Sequence, residues 1–221
     1  MDYEKQTRLA YRSSARADAY RRYQSREWTW GRITTWREQY LIRRLLARRK
    51  WNAADLVLDA PCGTGILAST LAPIAPRVLA SDISSEMMQL AAGAYAIKGF
   101  GGFVQADITS MPFRDGRFSI MVTLGFMHRV PAEIRGRALR ELHRICADTA
   151  IISFSLTSPT QRLKHLLLSA ISARHVPAPC AISMEEAEQE IRRAGFRISE
   201  RIAVLPLLSS EWLYVLSKER V

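Results

Sequence analysis

The residues best placed to do chemistry are Asp59, Gly63 and Gly65, in the run LVLDAPCGTGILAS at 56–69. They fall where an apolar segment ends and a helical pattern begins. Glycine lets the backbone turn into conformations closed to other residues and come close to a ligand. The amides of a following helix start suit a carboxylate or other polar group. Asp82 stands 17 residues beyond Gly65, at the tip of the next apolar run, RVLASD. A carboxylate there can accept both hydroxyls of a ribose. Asp107 closes a third run, so three successive strand ends turn polar groups toward one sheet edge, where open α/β sheets bind ligands. A glycine pair alone needs no more explanation than a tight turn. With Ala68 in the third position, the spacing also fits a dinucleotide-binding turn.

The elements that must hold these residues follow from the hydrophobic pattern. Strands are read at 56–60, 77–82, 102–107, 118–126 and 149–156, with helices in GILASTLAPIA, SEMMQLAAGAYAIK and PAEIRGRALRELHRI between them. Apolar strand cores alternating with helices predict a parallel sheet covered on both faces, a doubly wound α/β fold. MEEAEQEIRRAGF reads as a helix closed by Gly195, and RISERIAVL and SSEWLYVLS as two strands forming an antiparallel hairpin at the sheet edge. Residues 1–50 read as a basic helical extension, a lid over the substrate. The Rossmann-like domain occupies 51–221, and a Pro-containing, acceptor-side insertion runs over 157–183.

The chain has 221 residues, 48% of them apolar, enough for one domain with a sizeable core. Its formal charge of +11 is concentrated: residues 1–50 hold 14 Lys+Arg against 5 Asp+Glu, a net of +9. Such a cluster raises the local concentration of anions, whether on a substrate, a nucleic acid or a membrane surface, though a solvated helical face accounts for it equally. Cys62, Cys146 and Cys180 are widely spaced, forming neither a zinc pattern nor a disulfide frame, and read as reduced thiols; no metal is expected. No apolar run reaches membrane-spanning length and the first thirty residues do not read as a signal peptide, so a cytoplasmic protein is expected.

The ordered segments DAPCGTG, ASDISSEMMQLA, ADITSMPFRDGRFSIMVTLGFMHRV and RALRELHRI closely resemble the class I S-adenosylmethionine-dependent methyltransferases of the type 11 and type 25 kind, over about residues 55–156. The resemblance implies a mostly parallel, seven-stranded Rossmann-like sheet and S-adenosyl-L-methionine as cofactor. It assigns Asp59, Gly63 and Gly65, within the turn that holds Ala60 and Cys62, to the methionine moiety, and Asp82 to the ribose. Ile83 and Met87 or Met88 would flank adenine, Asp107 and Ile108 would meet its amino group and ring, and Leu124 would lie near the methionyl end. His128, in MHRV, occupies a position where many members carry His-His. It is a candidate base, alongside a Tyr or acidic residue of the extension, should the acceptor be a hydroxyl, with Arg129 beside it as a holder of phosphate or carboxylate. Cys62 lies inside the first glycine turn rather than after a later strand, which excludes it as a nucleophile. The fourth strand ends in TLGF instead of the Asn/Asp-Pro-Pro-aromatic tetrapeptide of many base N-methylating enzymes.

The expected activity is therefore methyl transfer to a small-molecule or a lipid- or saccharide-linked acceptor. CADTAIISFSL and LPLLSSEWLYVLSK resemble a bacterial subgroup associated with the cell envelope, and the basic extension suits an anionic acceptor. Trp28, Trp30, Trp36, His165 and the RLKHLLL stretch are candidate walls of the acceptor pocket, although packing onto the core accounts for any one of them. The alternatives are an RNA-directed enzyme or nucleic-acid binder whose Arg/aromatic extension tracks phosphates, and an enzyme held at the inner membrane surface by its basic segments.

Overall fold

The computed structural model describes residues 30–157 and 180–218. The readings at Trp28, His165 and the RLKHLLLSAI stretch lie outside the described residues. In chain order the elements are α1 (Trp30–Ala47), β1 (Val57–Asp59), α2 (Ala68–Leu71), β2 (Val78–Asp82), α3 (Ser85–Ala91), β3 (Phe100–Gln105) and β4 (Phe118–Thr123). A short 3-10 turn (Met127–Arg129) leads to α4 (Ala132–Ile145), β5 (Cys146–Ser155), α5 (Met184–Arg193), β6 (Phe196–Ala203) and β7 (Glu211–Lys218).

The seven strands form one sheet in the order β3-β2-β1-β4-β5-β7-β6. β1 to β5 are mutually parallel, and β7 runs antiparallel to both β5 and β6. This is the expected doubly wound sheet with an antiparallel C-terminal edge. The order reverses between β1 and β4, the place where such sheets open a crevice beyond their carboxyl ends.

Apolar residues sort by strand alternation onto the two faces. On one face Leu58, Met121 and Ile152 pack under α4 and α5. On the other, Val57, Ala80, Ile120 and Val122 pack under α1, α2 and α3. Helix α4 buries Ile134, Ala138, Leu142 and Ile145 at helical spacing. Helix α5 starts in a capping box, in which Glu186 N donates to Ser183 Oγ at 3.1 Å and Ser183 N to Glu186 Oε2 at 2.8 Å. Arg135 joins the two helices by donating twice to Glu190, at 2.6 and 2.7 Å. Helix α1 belongs to the core, because Leu41, Ile42 and Leu46 are buried in the second cluster. Burying such side chains stabilises the fold by about 1.5–3 kcal/mol each.

Several elements differ in extent from the sequence reading: β3 is Phe100–Gln105 rather than 102–107, so Asp107 lies two residues past its end, and β5 begins at Cys146 rather than 149. The helices expected in GILASTLAPIA and SEMMQLAAGAYAIK shrink to Ala68–Leu71 and Ser85–Ala91 and continue as turns. Glycine 93 interrupts the second, where its backbone freedom disfavours helix. The fourth strand stops at Thr123 instead of Phe126, since Gly125 turns the chain at φ 66°.

Candidate functional site

The turn after β1 is tied to β2 before any ligand enters. Cys62 N donates to Ser81 O at 2.8 Å, and Gly65 N closes the loop onto Cys62 O at 2.9 Å. Gly63 and Gly65 take φ of 51° and 81°, so both use the left-handed region that favours glycine. At Gly65 a Cβ would stand 3.1 Å from the Cβ atoms of Ala91 and Ala94, so its bare backbone lets α3 and the turn after it pack close. At Gly63 a Cβ would meet nothing within 4 Å, which leaves the backbone open to a ligand's approach.

Asp82 links the two strand ends. Its Oδ2 accepts from Gly63 N at 2.9 Å and its Oδ1 from Ser84 N at 3.0 Å. Burial raises its pKa, opposed by these backbone donors. A carboxylate has about four acceptor positions, and with Ser84, Gly63 and Ile83 amides bearing on it capacity remains for a ligand hydroxyl. Asp59 is held differently. It is buried, accepts the Tyr95 hydroxyl, and is pushed up to about 7 by burial; Tyr95 pulls the other way and the charge of Asp82 adds to the rise.

Beside Asp82 lies an open cleft lined by Ala60, Ile83, Asp107 and Ile108 together with Pro61, Ser81, Ala106, Met111 and Phe126. Asp107 Oδ1 accepts from Thr109 N at 2.9 Å and from its hydroxyl at 2.8 Å. Five residues singled out from the sequence, Ala60, Asp82, Ile83, Asp107 and Ile108, thus line one cleft. Met87 and Met88 are buried and do not line it, and Met88 and Leu124 sit in the core cluster beneath. Cys62 is buried, its thiol pushed far up by desolvation and by the charges of Asp59 and Asp82, which suits packing and not nucleophilic attack.

At the carboxyl ends of β4 and β5 a second polar group assembles. His128, in the 3-10 turn, points Nδ1 toward Glu211 Oε2 at 3.9 Å. Neither atom has a hydrogen-bond partner, although both are buried. Burial, and then the charge of Arg129, depresses His128 to about 4, leaving a neutral imidazole at pH 7. Glu211 is raised by burial, against the pull of Ser155 and Arg129. Glu38 on α1 is raised to about 8, first by burial and then by the charge of Glu211.

Tyr95, Glu38 and Glu211 escaped the sequence reading. Glu38 alone had a visible signal, an acid on the same helical stripe as Leu41, Ile42 and Leu46. The cleft's composition fits S-adenosylmethionine: a carboxylate for the ribose, apolar walls at Ile83, Ile108 and Phe126 for a flat ring, and open backbone at Gly63. Among the described residues, no group of three or more His, Cys, Asp or Glu could hold a metal ion. No helix among them is long and apolar enough to cross a membrane.

Residues 57–149 match the family model described as a methyltransferase domain. The chain is 36% identical over 93 residues to a demethylmenaquinone methyltransferase of Clavibacter sepedonicus, covering 42% of this chain and 37% of that one. It is 32% identical over 96 residues to a 2-heptyl-1-hydroxyquinolin-4(1H)-one methyltransferase of Mycobacteroides abscessus, covering 42% of each. The matches therefore span about two fifths of these curated relatives. Among solved structures, a magnesium protoporphyrin IX methyltransferase from Synechocystis PCC 6803 with bound SAH superposes with a TM-score of 0.75. That match has 18% identity and covers 98% of this chain and 100% of the other, showing a shared fold.

Proposed function

We propose, from the premise that residues 57–149 belong to the methyltransferase-domain family of class I enzymes, that this chain transfers a methyl group from S-adenosylmethionine to a small-molecule acceptor. The observation that carries the proposal is the Asp82 carboxylate, fixed by Gly63 N and Ser84 N at the mouth of an apolar-walled cleft. Asp82 would accept the ribose hydroxyls. Ile83 and Ile108 would enclose the adenine with Met87 packed behind, and Asp107 would meet its amino group. The turn through Asp59, Ala60, Cys62, Gly63 and Gly65 would hold the methionine portion, whose far end reaches Leu124.

Once bound, the sulfonium supplies an activated methyl group. Much of the acceleration of an in-line displacement comes from holding the acceptor atom in near-attack geometry. In this reading His128, neutral at pH 7, and Glu211 bind the acceptor's polar atom, and His128 takes a proton if that atom is a hydroxyl. Residues 1–50 serve as the lid, since α1 is anchored in the core by Leu41, Ile42 and Leu46.

The finer reading is a lipid- or saccharide-linked acceptor with an anionic part, of the cell envelope. It is supported by the net +9 over residues 1–50 and by a relative named for a menaquinone precursor. The same charge supports a second reading, an RNA acceptor, which demands affinity falling steeply with salt. Calorimetric titration of the wild type with S-adenosylmethionine and with NADH tests the main proposal. Binding of the first is expected, and binding of NADH alone would overturn it. Labelled methyl donor supplied with fractionated cell extract identifies the acceptor.

A further inference from the structure

We propose that the outward face of α1, with the loop between β6 and β7, is a docking surface for an anionic phospholipid bilayer. Glu38, Leu41, Ile42 and Leu46 turn one stripe of the helix into the core, which leaves Ile33, Trp36 and Tyr40 on the opposite stripe, exposed. Trp36 is 63% exposed and stacks on Tyr40 at 6.1 Å. The neighbouring loop adds Leu207, 90% exposed, and Leu208. Leu207 holds φ 65°, a left-handed backbone that costs free energy for a branched side chain. Apolar side chains held this far out gain nothing in water, and an apolar medium rewards their exposure.

Helix and loop are joined. The Arg37 Nε donates to Val204 O at 3.3 Å, and the same guanidinium lies 5.0 Å from the centre of the Tyr40 ring. Charge decides the partner. Arg32, Arg43, Arg44, Arg48 and Lys50 are exposed along the helix and just past it, and the single acid between residues 30 and 50, Glu38, faces inward. Aromatic and aliphatic tips set among arginines are the composition of a surface that beds into anionic headgroups. RNA would use the arginines and the aromatic stack yet offer nothing to Ile33, Leu207 and Leu208. A second copy of the chain would bring the same positive charges together.

Helix α1 crosses one face of the sheet, and its middle meets the turn beyond β1, where the Gln39 amide donates to Ile66 O. Docking of Trp36 and Tyr40 would therefore place lipid on the side of the molecule where α1 meets that turn. The corollary that the methyl acceptor is itself dissolved in the bilayer rests on the function proposed above.

The test is co-sedimentation of the whole chain with vesicles of phosphatidylcholine, alone or mixed with phosphatidylglycerol. Wild type is expected in the pellet with the mixed vesicles and about tenfold less with phosphatidylcholine alone. The variant Ile33→Ser/Leu207→Ser/Leu208→Ser is expected to partition at least about tenfold more weakly, with unchanged melting temperature and unchanged S-adenosylhomocysteine affinity. Arg43→Gln/Arg44→Gln is expected to lose much of the preference for the anionic lipid. The proposal is overturned if wild type stays out of the pellet, or if the serine variant partitions within about twofold of it, since charge alone would then explain binding. Wild type that ignores vesicles but binds single-stranded RNA, or that forms a dimer the serine variant splits, overturns it too. Failure of the wild type to bind S-adenosylhomocysteine strikes the methyl-transfer proposal, while the partition measurement stands on its own.

Discussion

At the scale of single residues, the site rests on carboxylates whose neighbours decide what they can do. Asp82 is the most exacting, because one side chain holds the glycine turn and offers what acceptor positions remain to a ligand. Asp82→Ala removes the proposed ribose partner and leaves Gly63 N without its acceptor. Binding of S-adenosylmethionine, followed by calorimetry, is expected to fall at least about a hundredfold, since a hydrogen bond to a charged group contributes about 1.5–3 kcal/mol. Glu38 makes a different expectation. Its folded-state pKa of about 8 lies above the ordinary 4.5, so between those values the folded protein binds a proton that the unfolded chain has released. Stability must fall as pH rises through that window, with a slope of at most about 1.4 kcal/mol per pH unit from this group. Asp59, raised to about 7, acts with the same sign. His128, lowered to about 4, acts oppositely below about pH 6.5, where the unfolded imidazole takes up the proton first. Melting temperatures of wild type and Glu38→Gln between pH 5 and 8.5 check this. The wild type is expected to lose stability across the range and the variant to lose less.

At the scale of elements, anchoring and joining matter most. Ile42 has no exposed surface and fixes α1 to the second core cluster. Ile42→Ala is expected to cost about 2–5 kcal/mol in chemical denaturation. Arg135→Ala strands Glu190 between α4 and α5 and is expected to cost about 3 kcal/mol or more by the same measurement, leaving S-adenosylmethionine affinity unchanged because neither residue lines the cleft. The parallel sheet and the closing hairpin were legible because most strands are short, largely apolar runs between helical patterns, a signal carried by neighbours in sequence. The cleft acids were legible for the same reason, Asp82 and Asp107 each ending such a run. Lengths were read less well: α3 breaks off because Gly93 outweighs the apolar residues around it. Long-range partners left no local trace. Glu211 begins a strand that looks amphipathic by itself, and only the fold brings it to His128. Tyr95 reads as one more core aromatic until its hydroxyl is found on Asp59.

At the scale of the whole molecule, charge and topology point the same way. The excess of basic residues lies in the first 50 positions, and α1 sets part of that excess outside the sheet face it covers. Raising salt is therefore expected to weaken capture of an anionic partner, while a neutral ligand bound in the cleft itself should be indifferent to it. Measuring S-adenosylhomocysteine affinity and vesicle partition across one salt series separates the two contributions. The sheet order carries a further consequence. β6 has β7 as its single strand neighbour, and β7 is wedged between it and β5, so β6 leaves the ribosome before anything exists for it to pair with. The same late strand delivers Glu211 to His128. During synthesis, then, the parallel half of the sheet, with the cleft at Asp82, can close first, and the proposed acceptor end at His128 and Glu211 is completed only when β7 arrives. A nascent chain should become able to hold a nucleoside earlier than it becomes able to methylate anything.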